Sequence, residues 1–213
     1  MPSPKTRVLL IDDHPVVLTG NRRVLDDTED LEVVGEGQNG EEGYQLFCER
    51  RPDVVVMDLS MPGMGGLEAI RRILARDDAA RILVFTMHDN EAMLSQAMKL
   101  GARGYLTKRA SAEELVAAVR KVARDALFVE SEVLSGAVGA DRVAAPGMAE
   151  LSPREFQVFR LLADGYRVPD IAEFLSISPK TVGVHRARVM QKLGTRSTVQ
   201  LVRLALAHGV VSL

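Results

Sequence analysis

Over the first 125 residues, short apolar, β-branched runs alternate with longer stretches in which apolar positions recur every three or four residues. The runs are RVLLID at 7–12, LEVVGE at 31–36, DVVVMD at 53–58, RILVFT at 81–86 and RGYLT at 103–107. The helical periodicity between them falls near 14–27, 40–51, 66–76, 90–100 and 111–124, the last opened by Ser111 with Glu114 three residues on, a capping box. The middle runs are apolar at consecutive positions, as strands are when helices cover both sheet faces. The pattern predicts an α/β fold with a five-stranded, parallel, doubly wound sheet.

Around 131–149 the chain turns small and irregular, rich in Gly, Ala and Pro, which predicts a linker with a short helix at 131–137. From Ser152 the pattern is wholly helical. Ser152-Pro153-Arg154-Glu155 combines an N-cap, a first-turn proline and a capping-box glutamate, and Ser178-Pro179 repeats the first two. Helices are predicted near 153–164, 169–176, 179–193 and 196–208, the second and third joined by a tight turn. That spacing is a helix-turn-helix in a second, all-α four-helix domain. The expected organisation is a sheet domain over 1–125, a linker over 126–149 and a helical domain over 150–213.

With 46% hydrophobic and 26% charged residues in 213, the chain has the composition of a packed globular protein, not of a disordered one. No apolar stretch approaches the roughly 18 residues of a membrane helix, and none resembles a secretion signal. A single cysteine, Cys48, makes neither an internal disulfide nor a thiolate cage; it reads as a packing residue in a reducing, cytoplasmic setting. The formal charge of -2 hides an asymmetry: residues 151–213 carry nine Lys and Arg against four Asp and Glu, with no acid after Glu173. This end suits a polyanion, the alternative being a solvated basic face.

Ligands of doubly wound sheets bind at the carboxyl ends of the strands. There the chain places Asp12 and Asp13, Asp58, Thr86 and Lys108. Converging carboxylates repel one another unless a cation joins them, and Mg²⁺ suits an all-oxygen site open to phosphate. Asp58, between such an ion and Lys108, would be a nucleophile toward a phosphoryl group, with Thr86 hydrogen-bonding the transferred group. Taken singly, each of these residues also fits a solvated loop.

LLIDDHP at 9–15, VVMDLSMPGMGGLEAI at 55–70, LVFTMHD at 83–89 and GARGYLTK at 101–108 together resemble a two-component response regulator. LSPREFQVFRLLADG at 151–165 and IAEFLSISPKTVGVH at 171–185 resemble the LuxR-type helix-turn-helix of the NarL/FixJ subfamily. The resemblance implies a flavodoxin-like receiver and a transcription regulator, not an enzyme, switched by a sensor histidine kinase. It implies Asp58 as phosphoacceptor, Asp13 as direct Mg²⁺ ligand, Asp12 as its water-mediated partner and the Ser60 carbonyl as a further ligand. Thr86 and Tyr105 match the switch pair and Lys108 the cation beside the phosphoryl group; a packing tyrosine is the alternative for Tyr105. Double-stranded DNA is the implied target, contacted by Lys180, Arg188 and Lys192, with Thr181 and His185 beside them and helix packing as the alternative for His185. A homodimer formed on phosphorylation or on DNA is implied as well, with Val199, Leu201, Val202, Leu204 and Ala205 of the last helix covering the core or forming a dimer face.

The chain departs from the family pattern in places. Ser60 stands where relatives often carry Asn, and His88 lies two residues after Thr86; both flank the approach of a hydrolytic water. Arg167-Val168-Pro169-Asp170 replaces the usual Ser-Asn-Lys-Glu, removing an expected cap and an expected phosphate contact, and Gly183 stands where Lys is common. Three rivals remain. Gly35 to Gly40 fits the dinucleotide fingerprint G-x-G-x-x-G, with Asp58 near the place of a ribose-binding acid, which would make the chain an NAD-binding enzyme. An Asp-nucleophile phosphohydrolase would use the same acids. A phosphorylation-independent DNA-binding regulator would keep the first domain for dimerisation alone.

Overall fold

In a computed structural model the described residues are 4–87, 91–130 and 147–211. His88, the linker segment 131–146 and the short helix expected at 131–137 lie outside them. Contacts gather the chain into two compact units, one built on a sheet and one helical.

The sheet unit follows the predicted alternation: β1 (Thr6–Ile11), α1 (Pro15–Asp26), β2 (Leu31–Gly37), α2 (Gly40–Arg50), β3 (Val54–Met57), α3 (Gly66–Arg76), β4 (Ile82–Thr86), α4 (Glu91–Leu100), β5 (Gly104–Thr107) and α5 (Ala112–Ala123). The strands lie in the order β2-β1-β3-β4-β5, all parallel, so the chain reverses direction across the sheet at β1 and β3. Val8, Leu10, Val54, Val56, Leu83, Phe85 and Leu106 turn one way onto Leu18 and Leu25 of α1 and Leu115, Val119 and Val122 of α5. Alternation sends Leu9, Ile11, Val55, Met57, Val84 and Tyr105 to the opposite face, where all are buried.

The sheet has a sixth strand beyond the five expected. β6 (Phe128–Val129) pairs in parallel with Gly104 and Tyr105, within the segment assigned from sequence to the linker. Two residues are too few to show a period of two, and the adjoining Leu127 is exposed, so no amphipathic signal marked it. What holds β6 is tertiary: the Lys121 ammonium lies 5.2 Å from the Phe128 ring centre, and the Glu130 carboxylate accepts from the Thr107 N–H at 2.7 Å, extending the strand edge.

The helical unit opens with a 3-10 turn at Met148–Glu150, followed by α6 (Pro153–Ala163), α7 (Val168–Phe174), α8 (Pro179–Lys192) and α9 (Thr198–Ala207). Phe156 and Phe159 meet edge to face at 6.0 Å inside a core completed by Ile171, Leu175, Val182, Val189 and Leu201. Ser152, Ser178 and Ser197 cap α6, α8 and α9 through their side chains. At α7 the Ser cap is indeed missing, and Asp170 supplies only the reciprocal bond of a capping box: its carboxylate accepts from the Arg167 N–H at 3.3 Å and from the Arg167 guanidinium at 3.0 Å. No helix among the described residues is long and apolar enough to cross a membrane.

Candidate functional site

Four strands of the sheet unit deliver the chemistry. Asp12 and Asp13 follow β1, Asp58 follows β3, Thr86 ends β4 and Lys108 follows β5. Asp12, Asp58 and Thr86 are buried, at 4%, 2% and 0% exposure, which separates them from solvated loop residues. The Lys108 Nζ stands 2.6 Å from Asp12 Oδ2 and 2.9 Å from Asp58 Oδ2. The other Asp58 oxygen, Oδ1, accepts from the Leu59 N–H at 2.6 Å and the Ser60 N–H at 3.3 Å. Burial opposes the charge of Lys108, yet Asp58 and Asp12 outweigh it and hold the ammonium above its usual range. Asp13 is pushed up, first by burial and then by Asp58 and Asp12, although His14 pulls the other way.

One more member was not foreseen from sequence. The His14 Nδ1 lies 2.8 Å from Asp13 Oδ1, and one ligand atom each from Asp12, Asp13, His14 and Asp58 falls within a mutual 4.8 Å. Three carboxylates gather beside one ammonium, so a divalent cation fits the donor set: it would relieve the repulsion that adds to burial in raising Asp13. Thr86 Oγ1 is buried with no partner among the described residues. Its own carbonyl accepts from the Lys108 N–H at 2.8 Å, which ties the ends of β4 and β5 together. Tyr105 lies on β5 opposite Val84 and is fully buried. Gly66, at the start of α3, packs so closely that a Cβ there would collide with the Asp58 carbonyl oxygen.

The glycines of the dinucleotide fingerprint serve packing. A Cβ at Gly37 would lie 3.0 Å from the Gly43 backbone nitrogen, and the Gly40 N–H donates to the Met64 carbonyl at 3.0 Å. Asn39 Oδ1 caps the Glu42 N–H at 2.9 Å, and the Glu42 carboxylate accepts from the Gln38 N–H at 2.8 Å. A carboxylate thus already sits where a pyrophosphate would have to bind, which argues against the NAD reading.

In the helical unit, α8 carries Lys180, Gly183, Val184, Ala187, Arg188 and Gln191 exposed on one face. Lys180 and Arg188 are the predicted cations on it; Val184, 46% exposed between them, was not singled out from sequence. Thr181 is tied to the cap, its hydroxyl 2.8 Å from Ser178 Oγ. His185 is half-buried, with Nδ1 unpartnered among the described residues. Burial first, then Arg154 and Arg188, lower its pKa against the opposing pull of Glu155, so the ring is neutral near pH 7. Lys192 departs from its expected part: its ammonium is held by Glu155 Oε2 at 2.7 Å and the Glu150 carbonyl at 2.9 Å. Its place on the basic second helix of the helix-turn-helix made it an expected contact; the partners that claim it come from elsewhere in the unit.

Comparison with known proteins agrees with this geometry in both units. Residues 8–120 match the response regulator receiver domain, and residues 149–205 match the luxR family of bacterial regulatory proteins. The chain is 38% identical over 207 residues to the response regulator UvrY of Escherichia coli K12, covering 95% of this chain and 94% of that one. It is 37% identical to the response regulator GacA of Pseudomonas aeruginosa, covering 96% and 97%. Among solved structures, RcsB of Salmonella enterica serovar Typhimurium, bound to promoter rprA in the presence of phosphomimetic BeF3-, is 30% identical with a TM-score of 0.68, covering 94% of this chain and 98% of that one.

Proposed function

Because the chain belongs to the two-component response regulators that join a receiver domain to a LuxR-type DNA-binding domain, we propose that Asp58 takes up a phosphoryl group and that the added charge governs DNA binding by the helical unit. The observation that carries the proposal is the buried Lys108 shared by Asp12 and Asp58, with the Thr86 hydroxyl, unpartnered among the described residues, at the next strand end. A carboxylate oxygen of Asp58 attacks phosphorus, the P–N bond of a kinase phosphohistidine breaks, and the imidazole leaves. The Lys108 ammonium, already within reach of Asp58, follows the negative charge onto the phosphoryl oxygens. Asp12, Asp13, Asp58 and the Ser60 carbonyl would hold Mg²⁺, which supplies neutralisation of those oxygens when bound. The Thr86 hydroxyl gains a phosphoryl oxygen as acceptor, and Tyr105 on the neighbouring strand is the aromatic that responds to its movement.

On this reading the cytoplasmic protein is a single-turnover switch and not a phosphohydrolase. Lys180 and Arg188 meet the phosphates or bases of double-stranded DNA, with Thr181 holding the positive end of α8 toward the backbone. Pairing of two chains on a two-fold site raises avidity, since each unit presents few free cations on its exposed α8 face. Phosphodonor treatment is expected to tighten DNA binding by the wild-type chain and to leave Asp58→Ala unchanged in a titration at fixed salt. Equal stimulation of both chains would overturn the switch and favour a phosphorylation-independent regulator.

A further inference from the structure

The loop from Leu59 to Gly65 does more than connect β3 to α3, because its first two N–H groups hold Oδ1 of Asp58. Its far end is fastened to a different element. The Met64 N–H donates to both carboxylate oxygens of Glu41, at 3.0 and 3.1 Å, and the Met64 carbonyl accepts from the Gly40 N–H at 3.0 Å. Both backbone groups of one loop residue are thereby clamped to the first turn of α2. The fit is close on each side of the clamp. A Cβ at Gly40 would collide with the Met64 carbonyl oxygen, and a Cβ at Gly63 would come 3.3 Å from the Glu41 carboxylate.

We infer that Glu41 is a positioning residue for phosphoryl transfer: through Met64 it fixes the loop whose N–H groups orient the Asp58 carboxylate. This rests on the reading of Asp58 as phosphoacceptor and adds a residue that touches neither Asp58 nor the incoming group. The physical case is one of preorganisation. Asp58 Oδ2 is aimed by Lys108, but among the described residues Oδ1 is aimed by backbone groups of a loop that carries two glycines, at 63 and 65. Such a loop samples many conformations unless it is tied, and a reacting carboxylate displaced by about 1 Å loses much of its rate. Glu42, the neighbouring acid, supplies an internal control, since it caps the same helix end through Gln38 and does not bond the loop.

The test uses the full chain as wild type, Glu41→Ala, Glu41→Gln and Glu42→Ala. Amide exchange at Met64 is followed by NMR without metal, and phosphoryl uptake from a small-molecule phosphodonor by intact mass. Glu41→Ala is expected to speed Met64 exchange about tenfold and to slow uptake about three- to tenfold, whereas Glu42→Ala changes uptake by less than about twofold. Glu41→Gln keeps a neutral acceptor and falls between wild type and Ala on both measures, so the order is read even if the Ala variant fails to fold. Uptake and exchange that are the same in the Glu41 variants as in Glu42→Ala would overturn the role of Glu41. No adduct on the wild-type chain would overturn the reading of Asp58 instead, while Met64 exchange would still decide whether the clamp exists.

Discussion

A buried hydroxyl left without an acceptor costs about 1–3 kcal/mol, and the Thr86 hydroxyl at the end of β4 is buried with no partner among the described residues. A cost kept in the resting protein is repaid if the hydroxyl serves another state. Thr86→Val preserves shape and removes the hydroxyl. It is expected to stabilise the unphosphorylated chain by about 1 kcal/mol while abolishing the effect of phosphodonor on DNA affinity, with uptake at Asp58 within about twofold of wild type. Thermal unfolding and a DNA titration on the same variant check both halves; a destabilised protein with intact coupling would contradict the account. At this scale the sequence was most informative where chemistry sits at a strand end, as with Asp12, Asp58, Thr86 and Lys108, because each short apolar run breaks off at or next to the polar residue that follows its strand. It was silent on His14 and Glu41, whose importance comes from the partners they meet and not from residue type. Glu41 precedes Met64 by 23 positions, a separation no local pattern encodes.

At the scale of elements, propensity and caps placed the helices to within a few residues, but ion pairing redistributed their side chains. Lys192 sits at the C-terminal end of α8 and neutralises Glu155, whose side chain is 4% exposed. Burial would raise the Glu155 pKa, yet Lys192 and the capping bonds of Ser152 hold it below the usual carboxylate range. Lys192→Ala leaves that carboxylate without its cation and should cost about 2–3 kcal/mol, less than a fully buried pair because Lys192 is itself a third exposed. Lys180→Ala and Arg188→Ala should instead leave stability within about 0.5 kcal/mol and each lower the salt slope of DNA binding by about one unit. A salt slope that falls for Lys192→Ala at unchanged stability would reverse this division of labour.

His185, on the same helix, predicts a pH dependence. Its folded pKa lies below the ordinary 6.5, mainly through burial, with Arg154 and Arg188 adding to the effect and Glu155 opposing it. The unfolded chain therefore binds the proton more readily, so the stability from this ring is complete above 6.5 and is lost as pH falls through 6.5 toward the lower folded value. Unfolding of wild type and His185→Gln across about pH 5 to 8 should show wild type losing stability faster on acidification; parallel curves would contradict it. The element that escaped the sequence, β6, did so because two residues carry no period, and its place is set by Gly104, Tyr105 and the Lys121 ammonium.

For the whole molecule, the division into an acidic sheet unit and a basic helical unit was legible in the charge asymmetry and in the change from short apolar runs alternating with helical stretches to a wholly helical pattern near Ser152. Family membership over both units makes it a DNA-binding transcription regulator of a two-component system. In the mechanism proposed above, a charge added at one strand end ties the two units' activities together, a small perturbation that shifts a population between states. The central claim is that Asp58 is where that charge is added. It is tested most directly by intact-mass spectrometry of the full chain after incubation with a small-molecule phosphodonor, with and without Mg²⁺, beside Asp58→Ala. The account predicts one phosphoryl adduct on the wild-type chain, dependent on Mg²⁺ and absent from the variant. An adduct that persists in Asp58→Ala, or a wild-type chain that takes up none with Mg²⁺ present, would contradict it.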